Sequence, residues 1–107
     1  MMARFLLSPA AQTDVRDHWN FIGIENDDPV AADRVADMFL ARLRLLAQHP
    51  RAGELAHEFQ SVRKGLRRAG IGNYVIYYSV SNDNKTIEVL RILRGERDAS
   101  SILDEQT

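Results

Sequence analysis

The chain has 107 residues and a formal net charge of −1, with 45% hydrophobic residues and no cysteine. That size and apolar content fit one domain with one core and exclude a disordered chain. The lack of cysteine excludes a disulfide framework and a thiolate zinc site, and it fits a reducing compartment.

The first segment, ARFLL at 3–7, reads as a short apolar strand. Its apolar run is too short for a signal-peptide core. No later stretch approaches the roughly 18 apolar residues of a membrane span. A cytoplasmic protein with no membrane partner is expected. Ser8 and Pro9 then start a helix. A serine N-cap accepts a backbone N–H, and a proline at the first helical position gives up no useful donor. Ala11, Val15, Trp19 and Ile22 follow at helical spacing, which carries the helix to about Glu25.

NDDP at 26–29 repeats the device, with Asp28 as cap and Pro29 as first helical residue. Ala32, Val35, Ala36, Phe39, Leu40, Leu43 and Leu46 form the apolar stripe of a second helix. It should stop near Gln48, because Pro50 disfavours helical geometry at His49. The short connection makes the two helices an antiparallel hairpin. Residues 49–60 read as a loop. Three strands are then expected, VRKGLRRA (62–69), NYVIYYSV (73–80) and KTIEVLRIL (85–93). SNDN joins the last two as an antiparallel hairpin, and Gly70 and Gly72 bracket the turn before them. The tail from Glu96 onward reads as a possible short C-terminal helix, with Ile102 and Leu103 packing back.

The order β-α-α-β-β-β makes the single domain, residues 1–107, an α+β fold: a helical hairpin on one face of a small, mainly antiparallel sheet. The hairpin covers one face. The other is left to solvent or a partner. Simple alternation groups Ile87, Val89, Arg91 and Leu93 on one face of the last strand and Glu88, Leu90, Ile92 and Arg94 on the other. Arg91 among aliphatic neighbours requires either the open face or a carboxylate partner, since an unpaired buried charge is costly. Which face is open depends on the register.

Charge is unevenly placed. Residues 1–60 carry six basic and nine acidic side chains, while residues 61–97 carry eight basic (Arg63, Lys64, Arg67, Arg68, Lys85, Arg91, Arg94, Arg97) and three acidic (Asp83, Glu88, Glu96). A basic segment of this kind suits an anionic partner; arginine stems lying over a small sheet give the same pattern.

Four stretches in this order, FLLSPAAQTDV, AADRVADMFLARLRLLAQHPRAG, RKGLRRAGIGNYVIYY and IEVLRILRGERDASSIL, resemble the RelE/ParE superfamily of toxins from type II toxin–antitoxin systems, and its ParE-like branch in particular. Together they cover nearly the whole chain. The resemblance implies one of two activities: RelE-like toxins cut messenger RNA in the ribosome, whereas ParE-like toxins act on DNA gyrase. RNA cleavage by the 2′-hydroxyl needs a proton acceptor, a proton donor and cations for the phosphorane. Against the RelE-like pattern, Arg97 matches the arginine after the last strand and Arg68 a basic sheet position, while Leu66 stands at its companion position. Val75 stands at an expected arginine and Leu103 near an expected tyrosine. His18, His49 and His57 lie outside the sheet segment and lack a metal-ligand spacing. No P-loop or nucleophile elbow is present.

The resemblance therefore implies a non-enzymatic inhibitor of gyrase, with no catalytic residue, metal or cofactor. The expected target contacts are Arg91, Arg94 and Arg97, supported by Arg67 and Arg68. The other reading of these arginines is that they anchor the tail through Glu96, Asp98 or Asp104. A ParD-like antitoxin is implied as partner in a hetero-oligomer, touching Trp19, Phe21, Arg63 and Tyr77; nucleic acid is met only through gyrase or the antitoxin. Trp19 also reads as a core residue. Two alternatives stay open: a ribosome-dependent RNase with an altered site, and an inactive toxin that keeps only antitoxin binding.

Overall fold

The computed structural model describes residues 3–20, 23 and 27–95. Phe21, Ile22, Glu25, Arg97, Leu103 and the expected tail helix lie outside these. The described elements are β1 (Arg4–Leu7), α1 (Pro9–Asn20), α2 (Pro29–Gln48), β2 (Glu54–Leu55), a 3-10 turn (His57–Phe59), β3 (Arg67–Ile71), β4 (Tyr74–Val80) and β5 (Thr86–Arg94). The expected α+β architecture is present, with two helices on one face of a sheet ordered β1-β5-β4-β3-β2. β1 runs parallel to β5 and the other pairings are antiparallel.

Both helix starts form as their sequences dictate. Ser8 Oγ accepts from Ala11 N at 3.0 Å, and Asp28 Oδ1 accepts from Ala31 N at 3.0 Å. Each leaves one fewer orphan donor in a first turn. α2 ends at Gln48, as Pro50 requires. Its inner stripe buries Ala32, Phe39, Leu43, Leu46 and Ala47. Leu40 and Ala36, expected in that stripe, fall on the outer face; Leu40 is among the exposed large apolar residues.

The sheet departs from expectation in three places. The first expected strand, 62–69, is displaced: β3 begins at Arg67 and runs through Gly70 to Ile71, so the turn is Gly72–Asn73 alone. Gly72 supplies a backbone φ of +55° there, a value glycine adopts without a Cβ penalty. The loop at 49–60 contains a two-residue strand, β2, pairing Glu54 with Arg68 and Leu55 with Arg67. Finally, β5 carries a bulge. Tyr77 pairs with Arg91 and Tyr78 with Val89, which leaves Leu90 as an extra residue.

The bulge decides which side chains enter which core. Ile87, Val89 and Ile92 all join the helix-side core with Ile76, Tyr78, Phe39, Leu43 and Leu46. Strict alternation would have placed Ile92 opposite Val89; the extra residue resets the phase.

The far face is not left to solvent. Residues 56–66 fold back across it, and Ala56, Phe59 and Leu66 bury a second core against Tyr77 and Leu93, with Val62, Val75 and Leu90 packed alongside. Phe59 meets Tyr77 edge-on at a centroid distance of 6.0 Å. The chain thus supplies its own cover for the face the helices cannot reach.

Candidate functional site

β1 ends at Leu7, opposite Val89, so no described strand lies beside the outer edge of β5 beyond that point. α1 takes its place with polar side chains. Ser8 N donates to Val89 O at 2.9 Å, and Ser8 Oγ donates to Leu90 O at 2.8 Å. Asp14 Oδ2 accepts from Ile92 N at 2.9 Å. His18 Nε2 lies 2.9 Å from Ile92 O. Buried backbone groups that would otherwise be orphaned are satisfied in this way.

Arg91 belongs to the same edge. Its Nε donates to Asp14 Oδ2 at 2.7 Å and its Nη2 to Asp14 Oδ1 at 2.8 Å, a bidentate pair. The side chains of Arg91 and Asp14 are only 12% and 10% exposed. Of the two sequence-based options for Arg91, the carboxylate partner is the one realised. Asp14 was legible as a helical polar residue but not as a partner. Its signal is spacing: Ala11, Asp14, Val15 and His18 recur at three and four residues, so Asp14 and His18 lie on the buried stripe.

Arg63, Arg67 and Arg68 are also committed to the fold. Arg67 Nη1 donates to Gly53 O at 2.6 Å and to Arg51 O at 3.2 Å, tying the exit of α2 to β3. Arg68 is held by Glu54, at 2.8 Å, and by Glu58. The hydrogen bond that Arg68 donates to Glu54 raises the pKa of Arg68, and the one to Glu58 adds to it against the cost of burial. Glu58 is lowered below the usual carboxylate range by a backbone hydrogen bond and then by Arg68. Arg63 Nη2 donates to Glu88 Oε1 at 2.7 Å and to Ser79 Oγ at 3.3 Å. Arg94 is exposed at the end of β5, in register with Tyr74.

The predicted arginines are therefore not gathered on one face. Arg63 and Arg68 lie on the far face, Arg67 at the exit of α2, and Arg91 and Arg94 near the end of β5. Tyr77, expected as an antitoxin contact, is fully buried in the second core and presents no surface. Trp19 is 39% exposed at the end of α1 and is available to a partner. Val75, at the position of an expected RelE-like arginine, packs beside the second core.

Two surface depressions stand out. A polar cleft of about 260 Å³ is lined by Arg63, Lys64, Ser79, Ser81, Thr86 and Glu88. An apolar groove of about 300 Å³ runs along the outer face of α2 between Met38, Ala41, Leu45 and Ile71, with Arg42 at its side. Among the described residues, no group of His, Asp or Glu could hold a metal ion, and no helix is long and apolar enough to cross a membrane.

Comparison with known proteins places this geometry. The family model for the ParE toxin of the type II parDE toxin–antitoxin system matches residues 5–99. Toxin ParE1 of Mycobacterium tuberculosis is 31% identical over 102 residues, covering 92% of this chain and 95% of that protein. Toxin ParE1 of Caulobacter vibrioides is 28% identical over 106 residues, covering 95% and 99%. Two solved structures share the fold. A chain of the RelBE2 toxin–antitoxin complex of M. tuberculosis superposes with a TM-score of 0.60 at 19% identity, covering 88% of this chain and 99% of that one. A chain of the chromosomal ParDE toxin–antitoxin system of P. aeruginosa gives 0.65 at 20% identity, covering 89% and 98%. The match across nearly the whole chain, on a sheet and helical hairpin of the same architecture, means that this protein belongs to the ParE toxin family of type II toxin–antitoxin systems.

Proposed function

We propose that the chain arrests growth by binding DNA gyrase and trapping it on cut DNA, without catalysis of its own, and that a ParD-like antitoxin neutralises it. The observation that carries the non-enzymatic reading is the state of the sheet cations. Arg68, the basic sheet position that the resemblance matches to RelE-like toxins, is tied to two carboxylates. Val75 adds no charge, and His18 is used at the β5 edge, 2.9 Å from Ile92 O. A phosphorane needs unpaired cations and a proton relay. Relatives named as ParE1 toxins support the gyrase branch, and the ParDE neighbour supports an antitoxin of that type.

The target contact is then electrostatic and lies with Arg94, at the end of β5, and with Arg97, three residues on in the sequence, where an arginine meets either the enzyme or its bound DNA backbone. Arg91 positions that end of the strand. The test is expression in growing cells with two readouts, double-strand breaks in DNA and the integrity of messenger RNA. DNA breaks with intact messages are expected. Messages cut within codons, with intact DNA, select the RelE-like alternative.

A further inference from the structure

The covering segment spans only part of the far face. Phe5, Leu7, Val80, Ile87 and Val89 pack into the helix-side core, so alternation turns Arg4, Leu6, Ser79, Ser81, Thr86 and Glu88 to the far side. Register sets Arg4 beside Thr86, and Glu88 between Leu6 and Ser79. The second core takes its sheet residues from the other end of these strands, at Val75, Tyr77, Leu90 and Leu93.

The polar cleft of about 260 Å³ lies on this half, where Arg63 and Lys64 of the covering segment meet Ser79, Thr86 and Glu88. Arg63 Nη2 donates to Glu88 Oε1 at 2.7 Å and to Ser79 Oγ at 3.3 Å. Ser79 accepts in that contact and keeps its own proton to donate. Ser81 is committed to the hairpin turn, its Oγ donating to Asp83 Oδ1 at 2.6 Å. Lys64 is exposed, as are Arg4 beyond Thr86 and Lys85 at the turn. Four cations thus stand around this half against the carboxylates of Glu88 and Asp83. The side chains of Arg63 and Glu88 are 39% and 41% exposed, unlike the enclosed pair of Arg91 and Asp14. An ion pair this open is screened by water and salt and parts at little cost. Glu88 therefore holds Arg63 over the sheet at a place where another anion can take over the guanidinium.

We propose that this half of the far face binds the phosphodiester backbone of DNA. Arg63 and Lys64 contact phosphate oxygens, the hydroxyls of Ser79 and Thr86 donate to them, and Glu88 is the internal competitor that a phosphate displaces from Arg63. Cations beside hydroxyl donors are the groups that proteins turn to phosphates. A protein partner would call for an apolar centre. Leu6 is the only large apolar side chain exposed among the described residues of this half. Both helices lie on the opposite face, so neither enters a groove from this side, and the contact is indifferent to base sequence. The proposal rests on the reading that the toxin acts on gyrase carrying cut DNA. It names a surface that touches that DNA, at the other end of β5 from Arg94.

The test is fluorescence anisotropy of a labelled DNA duplex titrated with the full chain over a range of salt concentrations. Binding should weaken as salt rises. Arg63→Gln combined with Lys64→Gln should weaken it further and lower the slope of log K against log salt by about 2, one for each lost phosphate contact. Glu88→Gln should tighten binding about fivefold, the effect of removing one like charge about 4 Å from a phosphate in water. An ion pair that only braces the fold gives another pattern, in which the Arg63 and Glu88 variants shift binding the same way or not at all. Circular dichroism checks that each variant folds. No binding by the wild type, an unchanged salt slope in the double variant, or looser binding by Glu88→Gln overturns the proposal. Equal binding of polyglutamate at matched charge also overturns it and assigns the cleft to an acidic protein. The gyrase reading is tested apart from these, by toxin-dependent DNA cleavage with the wild type, and survives the loss of this site.

Discussion

Removing Asp14 should destabilise the edge of β5 that carries Arg91. Asp14→Ala takes away both oxygens that receive the Arg91 guanidinium, at 2.7 and 2.8 Å, and the acceptor of Ile92 N at 2.9 Å. With the pair's side chains only 12% and 10% exposed, solvent does little to screen the loss. Breaking one side of a buried pair costs about 3–5 kcal/mol, because the remaining charge stays desolvated. The orphaned amide of Ile92 contributes to the same penalty. Against a total stability of about 5–15 kcal/mol for a domain, this is a large fraction. A loss of that size lowers the melting temperature by at least about 12 °C for a domain near this length. Urea unfolding of wild type, Asp14→Ala, Arg91→Met and the double variant measures it. The double variant should recover part of the loss, since two apolar groups leave no uncompensated charge. If Asp14→Ala falls within about 1 kcal/mol of wild type, the pair does not anchor the β5 edge and the reasoning fails.

Other substitutions follow from the same geometry. Ser8→Ala removes a helix cap and a donor to Leu90 O, and should cost about 1–2 kcal/mol in urea unfolding. Gly53→Ala should be destabilising by about 1–3 kcal/mol, because the added Cβ would sit 2.7 Å from Arg68 O, a backbone atom that cannot step aside. Glu58 has a lowered carboxyl pKa, so its contribution is present above the unfolded value near 4.5 and is lost as pH falls through the lower folded value. Glu58→Gln should flatten the acid limb of the stability–pH curve. Arg94→Ala combined with Arg97→Ala should relieve growth arrest in cells while the purified protein stays folded by circular dichroism; a folded, fully toxic double variant would remove both residues from the target contact.

Much of the fold was legible because local chemistry and pattern agreed. Ser8-Pro9 and Asp28-Pro29 mark helix starts, Pro50 marks a stop, and the turn residues at 81–84 place the β4–β5 hairpin, where Ser81 N bonds Thr86 O at 2.9 Å. What stayed hidden depended on register. The bulge at Leu90 inverts the faces of the last strand's end, and no local signal distinguishes Leu90 from its aliphatic neighbours. The segment at 56–66 has too few apolar residues to show a period, yet Ala56, Phe59 and Leu66 suffice to cover a short sheet.

The arginines were legible as a cluster in sequence and not as a set of separate anchors in space. Their carboxylate partners lie far away in the chain: Asp14 for Arg91, Glu54 and Glu58 for Arg68, and Glu88 for Arg63. Long-range pairing of this kind has no spacing rule to read. Its consequence is a narrower functional surface: Arg91 organises a strand edge, while the exposed Arg94 stands at the end of it.

The most direct test of the account is a cleavage assay with purified gyrase, ATP and supercoiled plasmid, with and without the toxin, the products being counted after denaturation. The account predicts toxin-dependent linear DNA, abolished by antitoxin and absent when gyrase is omitted. Unchanged cleavage and supercoiling, from protein that still arrests growth, would contradict it.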